Sequence, residues 1–319
     1  MNYFIVTVDA EGDNIWNWDG KGSITTENTL YLSRFQYLCE KYGFKPVWLA
    51  NWEIIHDARF VTLIKSALNR DMCEIGSHIH AWNNPPFFEI EKAPKRGLPY
   101  LIEYPVEVME KKIATITEEI CSIFEINPIS HRAGRWAIND EMLRVLYKYG
   151  YKVDCSVTPN IDWSSSHGQK EGVKGPNYLG EKREISYREG IMEVPVTTWK
   201  NDKIYVDSLP KRGMIKSLKY IGSGLLKKRK YKLFRPDKYN VTEIIDNISS
   251  EDLDDIGYLM FMIHSSELMP GGSPYFASPL DIENLYSEIE TIFNLVASKY
   301  EGITLKDFYN TVKSEIEIV

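Results

Sequence analysis

The chain has 319 residues, of which 43% are hydrophobic and 26% charged, enough to bury a sizeable core within one large α/β domain. Its formal net charge of −7 lacks the basic footprint that nucleic-acid binding needs, and no run approaches the roughly 20 apolar residues of a membrane-spanning helix. Four cysteines, Cys39, Cys73, Cys121 and Cys155, lie far apart without CxxC spacing and are expected as reduced thiols.

The opening residues, MNYFIVTVDAEGD, carry no basic stretch or cleavage site and read directly as a strand over Tyr3 to Val8, so cytoplasmic residence is the expectation. Thr26 is placed as the N-cap of a helix with Tyr31, Phe35, Leu38, Cys39 and Tyr42 on one face, stopped by Gly43. Pro46 to Ala50 reads as a strand, Ala58 to Asn69 as a helix, and Met72 to Ile75 as a third strand. A long helix follows with Val106, Met109, Ile113, Ile116, Ile120 and Phe124 in register, then a strand near Ile129 and a helix opening at Asn139. Further strands are placed near Val153, near Val194 and over Tyr258 to Ile263. Ser278-Pro279-Leu280-Asp281 is the N-cap, first-turn proline and capping-box start of a helix through Ala297. Strands alternating with helices predict a parallel sheet, doubly wound or closed into a barrel, within a single domain spanning 1–319.

In such sheets the chemistry gathers at the C-terminal strand ends. Unusual polar residues fall there: Asp9 and Glu11 after the first strand, His78 and His80 after the third, Arg132 after the fourth, Asp154 after the fifth and His264 after the last long one. In extended chain, residues two apart face the same way, so His78 and His80 can present two imidazoles to one ion. The bland reading is a histidine pair on a solvated rim. Asp9 and Glu11 likewise share a side, with two solvated loop acids as the plain alternative. Together the two pairs supply what a hydrolytic metal needs: two histidines and a carboxylate as ligands, with a second carboxylate as base.

These residues also carry a family resemblance. Thr7-Val8-Asp9-Ala10-Glu11, Ile75-Gly76-Ser77-His78, Arg132-Ala133-Gly134-Arg135-Trp136, Val153-Asp154-Cys155-Ser156 and Met262-Ile263-His264 resemble, in order, the five motifs of the NodB-homology polysaccharide deacetylases. The HxH followed by Trp and Pro-Pro, the RAGRW and the final HSSELMPGGSPY resemble a subgroup of bacterial surface-polysaccharide biosynthesis proteins. The resemblance implies a distorted (β/α) barrel with about seven parallel strands. It implies Asp9 as general base oriented by Arg132, His264 as acid paired with Asp154, and Glu11, His78 and His80 as ligands of one divalent ion. Zinc suits that set, and so do cobalt, nickel, iron and manganese. The chain departs from the family in three places. Ala10 stands where a second aspartate is usual, which moves the metal carboxylate to Glu11. Trp82 stands where the second histidine is usual, which moves that part to His80. In the fourth motif, Asp162-Trp163 competes with Asp154.

Trp82, Arg135, Trp136 and Trp163 are candidates to line a sugar subsite, although a guanidinium beside an indole is also an ordinary surface stack. His131 is expected to point away from Arg132 as a structural imidazole, and His56 and His167 to lie at the surface. Glu267 and the loop Met269 to Ser273 are candidates for a lid over substrate, with plain turn chemistry as the other reading. The stretch 205–240 reads as a basic amphipathic insertion, with eleven Lys and Arg from Lys211 to Lys238 against the single acid Asp237. Such a segment suits contact with an anionic membrane face, and equally a solvated helix. Three functions stay open: an N-deacetylase acting on a sugar in O-antigen or capsule assembly, a deformylase of a lipid-linked formamido sugar, and a glycan-binding protein without activity.

Overall fold

A computed structural model describes residues 2–15, 22–88, 98–165, 173–201, 230–248 and 256–318. Strand and helix alternate as β1 (Tyr3–Ala10), α1 (Leu32–Lys41), β2 (Val47–Ala50), α2 (Ala58–Leu68), β3 (Glu74–Ile79), α3 (Val106–Phe124), β4 (Ser130–Ala133), α4 (Asp140–Lys148) and β5 (Val153–Asp154). Then follow β6 (Ser186–Arg188), β7 (Ile191–Glu193), β8 (Thr198–Asn201), β9 (Lys230–Leu233) and β10 (Tyr258–His264). The helix Pro279–Ala297, the short β11 (Glu301–Gly302) and the helix Leu305–Ile318 close the chain.

The main sheet runs β10-β1-β2-β3-β4-β5-β7-β6, and every pairing from β10 to β7 is parallel. That run contains seven strands, the number the resemblance implies; β6 adds an antiparallel edge and β11 pairs beside β1. The sheet curls into an incomplete barrel. Between β7 and β10 the ladder is replaced by single bonds: Phe234 N–H donates to Thr197 C=O at 2.9 Å, and Met262 N–H to Phe234 C=O at 3.1 Å.

Side-chain alternation splits this sheet into two faces. Phe4, Val6, Val8, Trp48 and Phe261 pack outward against the helices, where Phe4 meets Phe44 at 4.7 Å and Phe293 at 5.8 Å between ring centroids. Truncating Phe4 to alanine there would cost about 3–5 kcal/mol. Ile5, Val47, Leu49, Val153, Cys155, Met260 and Met262 fill the inside.

Local signals are met at Asn139, whose side chain accepts from Met142 N–H, and at the Ser278 capping box. Gly43, at φ +73°, follows the end of α1. Thr26 does not cap. A 3-10 turn (Glu27–Tyr31) precedes α1, and Thr26 Oγ1 donates instead to Asp57, itself the N-cap of α2. Strand β3 runs four residues past its expected end, which places His78 inside the ladder. Most of the basic segment 205–240 and His167 lie outside the described residues.

Candidate active site

The parity that sends Ile5 inward sends Thr7 and Asp9 inward too, and on β4 it does the same for Arg132. From there Arg132 reaches across the barrel to donate to Asp9 Oδ1 at 2.6 Å, Thr7 Oγ1 at 3.0 Å and Cys155 C=O at 3.0 Å. Both partners are buried, at 1% and 2% side-chain exposure. Burial alone would raise the Asp9 carboxyl, but Arg132, then His78 and His264, outweigh it and hold Asp9 below its ordinary value. Asp9 is therefore ionised.

Glu11 continues the same inward row. Its backbone is clamped by Ser265 Oγ, which accepts from Glu11 N–H at 3.0 Å, and by Asn28, which donates to Glu11 C=O at 2.8 Å. Its Oε2 lies 2.9 Å from His80 Nε2 and 3.5 Å from His78 Nε2, and the two Nε2 atoms are 3.0 Å apart. These are the three buried groups, mutually within 4.8 Å, that could hold a metal ion. His78 Nδ1 lies 3.0 Å from Arg132 C=O and donates to it, which turns Nε2 toward Glu11 and His80. Burial would raise the Glu11 carboxyl, but the hydrogen bonds from His78 and His80 and the charges of His80 and His264 bring it far below its usual range.

His264 pairs in register with Asp9 across β10 and β1, and its Nε2 is 3.8 Å from Asp9 Oδ2. Its supporting carboxylate is neither of those expected. Glu267, three residues on in a 3-10 turn, accepts from the His264 backbone N–H at 2.9 Å and lies 3.2 Å from Nδ1. Arg235 donates to the other Glu267 oxygen at 2.5 Å. Burial pushes against ionisation of Glu267, but Arg235 and His264 hold it at about 2. Asp154 faces elsewhere. Its neighbours Val153 and Cys155 fill the barrel, so Asp154 between them points outward, accepts from Ser156 N–H and Oγ, and shares the face of Glu193. Asp162 accepts from Ser164 N–H at the surface. Glu267 is fully buried beneath the site, and the loop after it forms a turn in which Gly271 N–H donates to Phe276 C=O at 2.8 Å.

A cavity of roughly 380 Å³ opens over these groups, lined on its walls by Trp82, Arg135, Trp136, Trp163, Arg235 and Tyr275. All four expected subsite residues are thus brought to one cavity. Trp136 and Trp163 stack at 6.2 Å with 14° between their planes, and Trp82 lies 4.4 Å from the His80 ring. Arg135 and Trp136 both have left-handed backbones, φ 57° and 64°, an arrangement that costs about 1–3 kcal/mol per residue. Gly134 permits the turn, since a Cβ there would lie 2.5 Å from Ile79 C=O and 2.9 Å from His80 Nδ1. His131 faces away as expected, its Nδ1 2.8 Å from Ser77 Oγ. Sequence reasoning missed the Glu267–His264 contact, which the three-residue spacing in His264-Ser265-Ser266-Glu267 signals, and missed Arg235, for which no local signal exists.

No family model and no curated protein sequence matches the chain. Solved structures do. One, described as a polysaccharide deacetylase from Mycobacterium smegmatis, superposes with a TM-score of 0.51 at 13% identity, over 98% of this chain and 91% of that one. A 4-alpha-glucanotransferase from Thermococcus litoralis superposes at 0.55 and 13% identity, over 97% of this chain but 40% of its own. A branching enzyme from Thermococcus kodakaraensis superposes at 0.52 and 8% identity, over 97% and 71%. The chain thus carries the fold of the polysaccharide deacetylases, a fold that enzymes acting at glycosidic bonds also use.

Proposed function

We propose that this chain is a metal-dependent amidase that removes an N-acetyl group from a sugar during assembly of a bacterial surface polysaccharide. One observation carries the reading: Glu11, His78 and His80 converge beside an ionised Asp9 and a carboxylate-supported His264, beneath aromatic walls.

The donor set fits a divalent ion. It is the two-histidine, one-carboxylate set of hydrolytic zinc, and His78 is oriented by a carbonyl behind it as such ligands are. Two ring nitrogens and a carboxylate oxygen crowd one point, an arrangement that a cation relieves. When bound, the ion would supply Lewis-acid polarisation of the amide carbonyl and lower the pKa of a nearby water. Asp9, kept ionised by Arg132, takes the proton from the attacking water. His264 delivers a proton to the departing nitrogen, with Glu267 fixing the ring. The stacked Trp136 and Trp163 and the faces of Trp82 and Tyr275 offer the sugar apolar surfaces.

Fold neighbours that work at glycosidic bonds raise a second reading, which the charges oppose. A glycosidase needs one carboxyl kept protonated as its acid. Here Asp9 and Glu11 are both pushed down, by a guanidinium and by two imidazoles after burial has been overcome.

Elemental analysis of wild type beside Glu11→Ala and His78→Ala, with acetate and formate assayed over a panel of N-acyl sugars, tests the proposal. About one ion per chain, lost in both variants and accompanied by acetate, is the expected result. Formate in place of acetate would make the enzyme a deformylase. A chain that takes up no metal would be a glycan-binding protein. We also place the enzyme at the inner membrane face on a lipid-linked sugar, on the strength of the basic composition of Lys211 to Lys238. Flotation with anionic liposomes at low salt checks this, and an unbound protein would remove it.

A further inference from the structure

The charged groups of the cavity floor are engaged with one another, and one wall residue stands outside those pairings. Asp9 pairs with Arg132, Glu267 pairs with Arg235, and Glu11 lies between two imidazoles. Arg135 is exposed, and it makes no ion pair and no side-chain hydrogen bond with any described residue. It is nevertheless held in place. Its guanidinium carbon lies 5.5 Å from the ring centroid of Trp82 and 5.9 Å from that of Tyr100, contacts that engage its π-face and leave its N–H edge open. Its own backbone and that of Trp136 adopt the left-handed conformation, and the preceding Gly134 packs the turn directly onto His80. Strain of this kind at the rim of a site persists where the surroundings require one aim for the side chain.

We infer that Arg135 receives an anionic group of the substrate, a carboxylate or phosphate carried on the reacting sugar or its immediate neighbour. This rests on reading the cavity as the sugar site of an amidase. A neutral sugar would leave the guanidinium to water, whereas a carboxylate or phosphate matches it with two parallel N–H···O bonds. Because the guanidinium lies over Trp82, whose ring centroid is 4.4 Å from that of His80, the anion is seated close to the reacting amide and not at a distant subsite. The protein as a whole is acidic, so this local cation also orients an approaching anion toward the cavity.

Three probes that differ in one group decide it: N-acetylglucosamine, N-acetylglucosaminuronic acid and N-acetylglucosamine 1-phosphate. They are titrated at low ionic strength into the full chain, with quenching of the cavity tryptophans as the readout. One anionic probe should bind at least about tenfold tighter than the neutral sugar, by an advantage that shrinks with salt. That ratio should collapse toward one in Arg135→Gln and be partly kept in Arg135→Lys. Preference for the uronate places the anion on the sugar ring; preference for the 1-phosphate places it in the linkage. Equal binding of neutral and anionic probes, no binding of either anion at millimolar concentration, or an advantage that survives in Arg135→Gln overturns the inference. Failure here and failure of the amidase reading are separable. Acetate released equally from neutral and anionic sugars sinks this inference alone, and an anion preference without acyl release sinks only the amidase.

Discussion

Asp9 and Asp154 are both carboxylates on parallel strands, exposed by only 2% and 0%, yet they hold their protons in opposite ways. At Asp9 the cost of burial is exceeded by Arg132 and two imidazoles, and the group stays ionised. At Asp154 burial wins over the hydrogen bonds with Glu193 and Ser156 and over the charge of Arg132, and both carboxyls of the Asp154–Glu193 pair are raised. Depth is the same; the partner decides. The partner in turn follows from strand parity. Asp9 points inward, where Arg132 crosses the barrel, and Asp154 points outward into a layer that offers hydroxyls and another carboxylic acid. The inner acid can accept a proton at neutral pH, and the outer pair shares one and serves to tie β5 to β7.

The most direct way to break this contrast is to take the cation from Asp9. Arg132→Met leaves a buried carboxylate unpaired and should destabilise the fold by about 3–5 kcal/mol in denaturant melts. Turnover should fall by about 10²-fold or more with it. A variant as stable and active as wild type would show that Arg132 does not hold Asp9 ionised.

Glu267→Gln removes the charge that holds His264 and strands Arg235. Turnover should drop by about 10²-fold through loss of ring orientation while metal content, read by elemental analysis, stays at the wild-type value. Trp136→Ala, which breaks the stack on Trp163, should act more gently and raise KM about three- to tenfold with little change in kcat. A kcat effect larger than the KM effect would move Trp136 from the wall to the chemistry.

The smallest effect separates the two kinds of acid by the sign of their pH dependence. Asp154 and Glu193 have folded values above their unfolded ones, so the native state holds the extra proton. Their contribution is full below the unfolded carboxyl range, about 4, and is lost as pH rises toward the raised folded values. Glu267, held at about 2, has the opposite sign: its stabilisation is present above the unfolded value and is lost as pH falls toward 2. Glu193→Gln should therefore flatten the alkaline decline in urea melts between pH 4 and 8 and leave the acid limb alone. An unchanged alkaline slope would rule out the shared proton.

What the sequence by itself determined is what depends on near neighbours along the chain. Alternating apolar periods specified the order of strands and helices, and Asn139 and Ser278 marked helix starts that the structure keeps. The polar residues at strand ends, Asp9, Glu11, His78, His80, Arg132 and His264, were legible as one site because parallel strands in one sheet bring their C-terminal ends together. Thr26 misled, since a hydroxyl before a helical stripe signals a cap only if no better acceptor such as Asp57 comes near. Only the tertiary structure decided which acid meets His264. That choice depends on which face of β5 the carboxylate of Asp154 occupies and on the turn that brings Glu267 back to the imidazole. Arg235 and Arg135, which has no ion pair among the described residues, are of the same kind. Their roles depend on residues distant in sequence, which the curl of the sheet brings within reach and local periodicity does not encode.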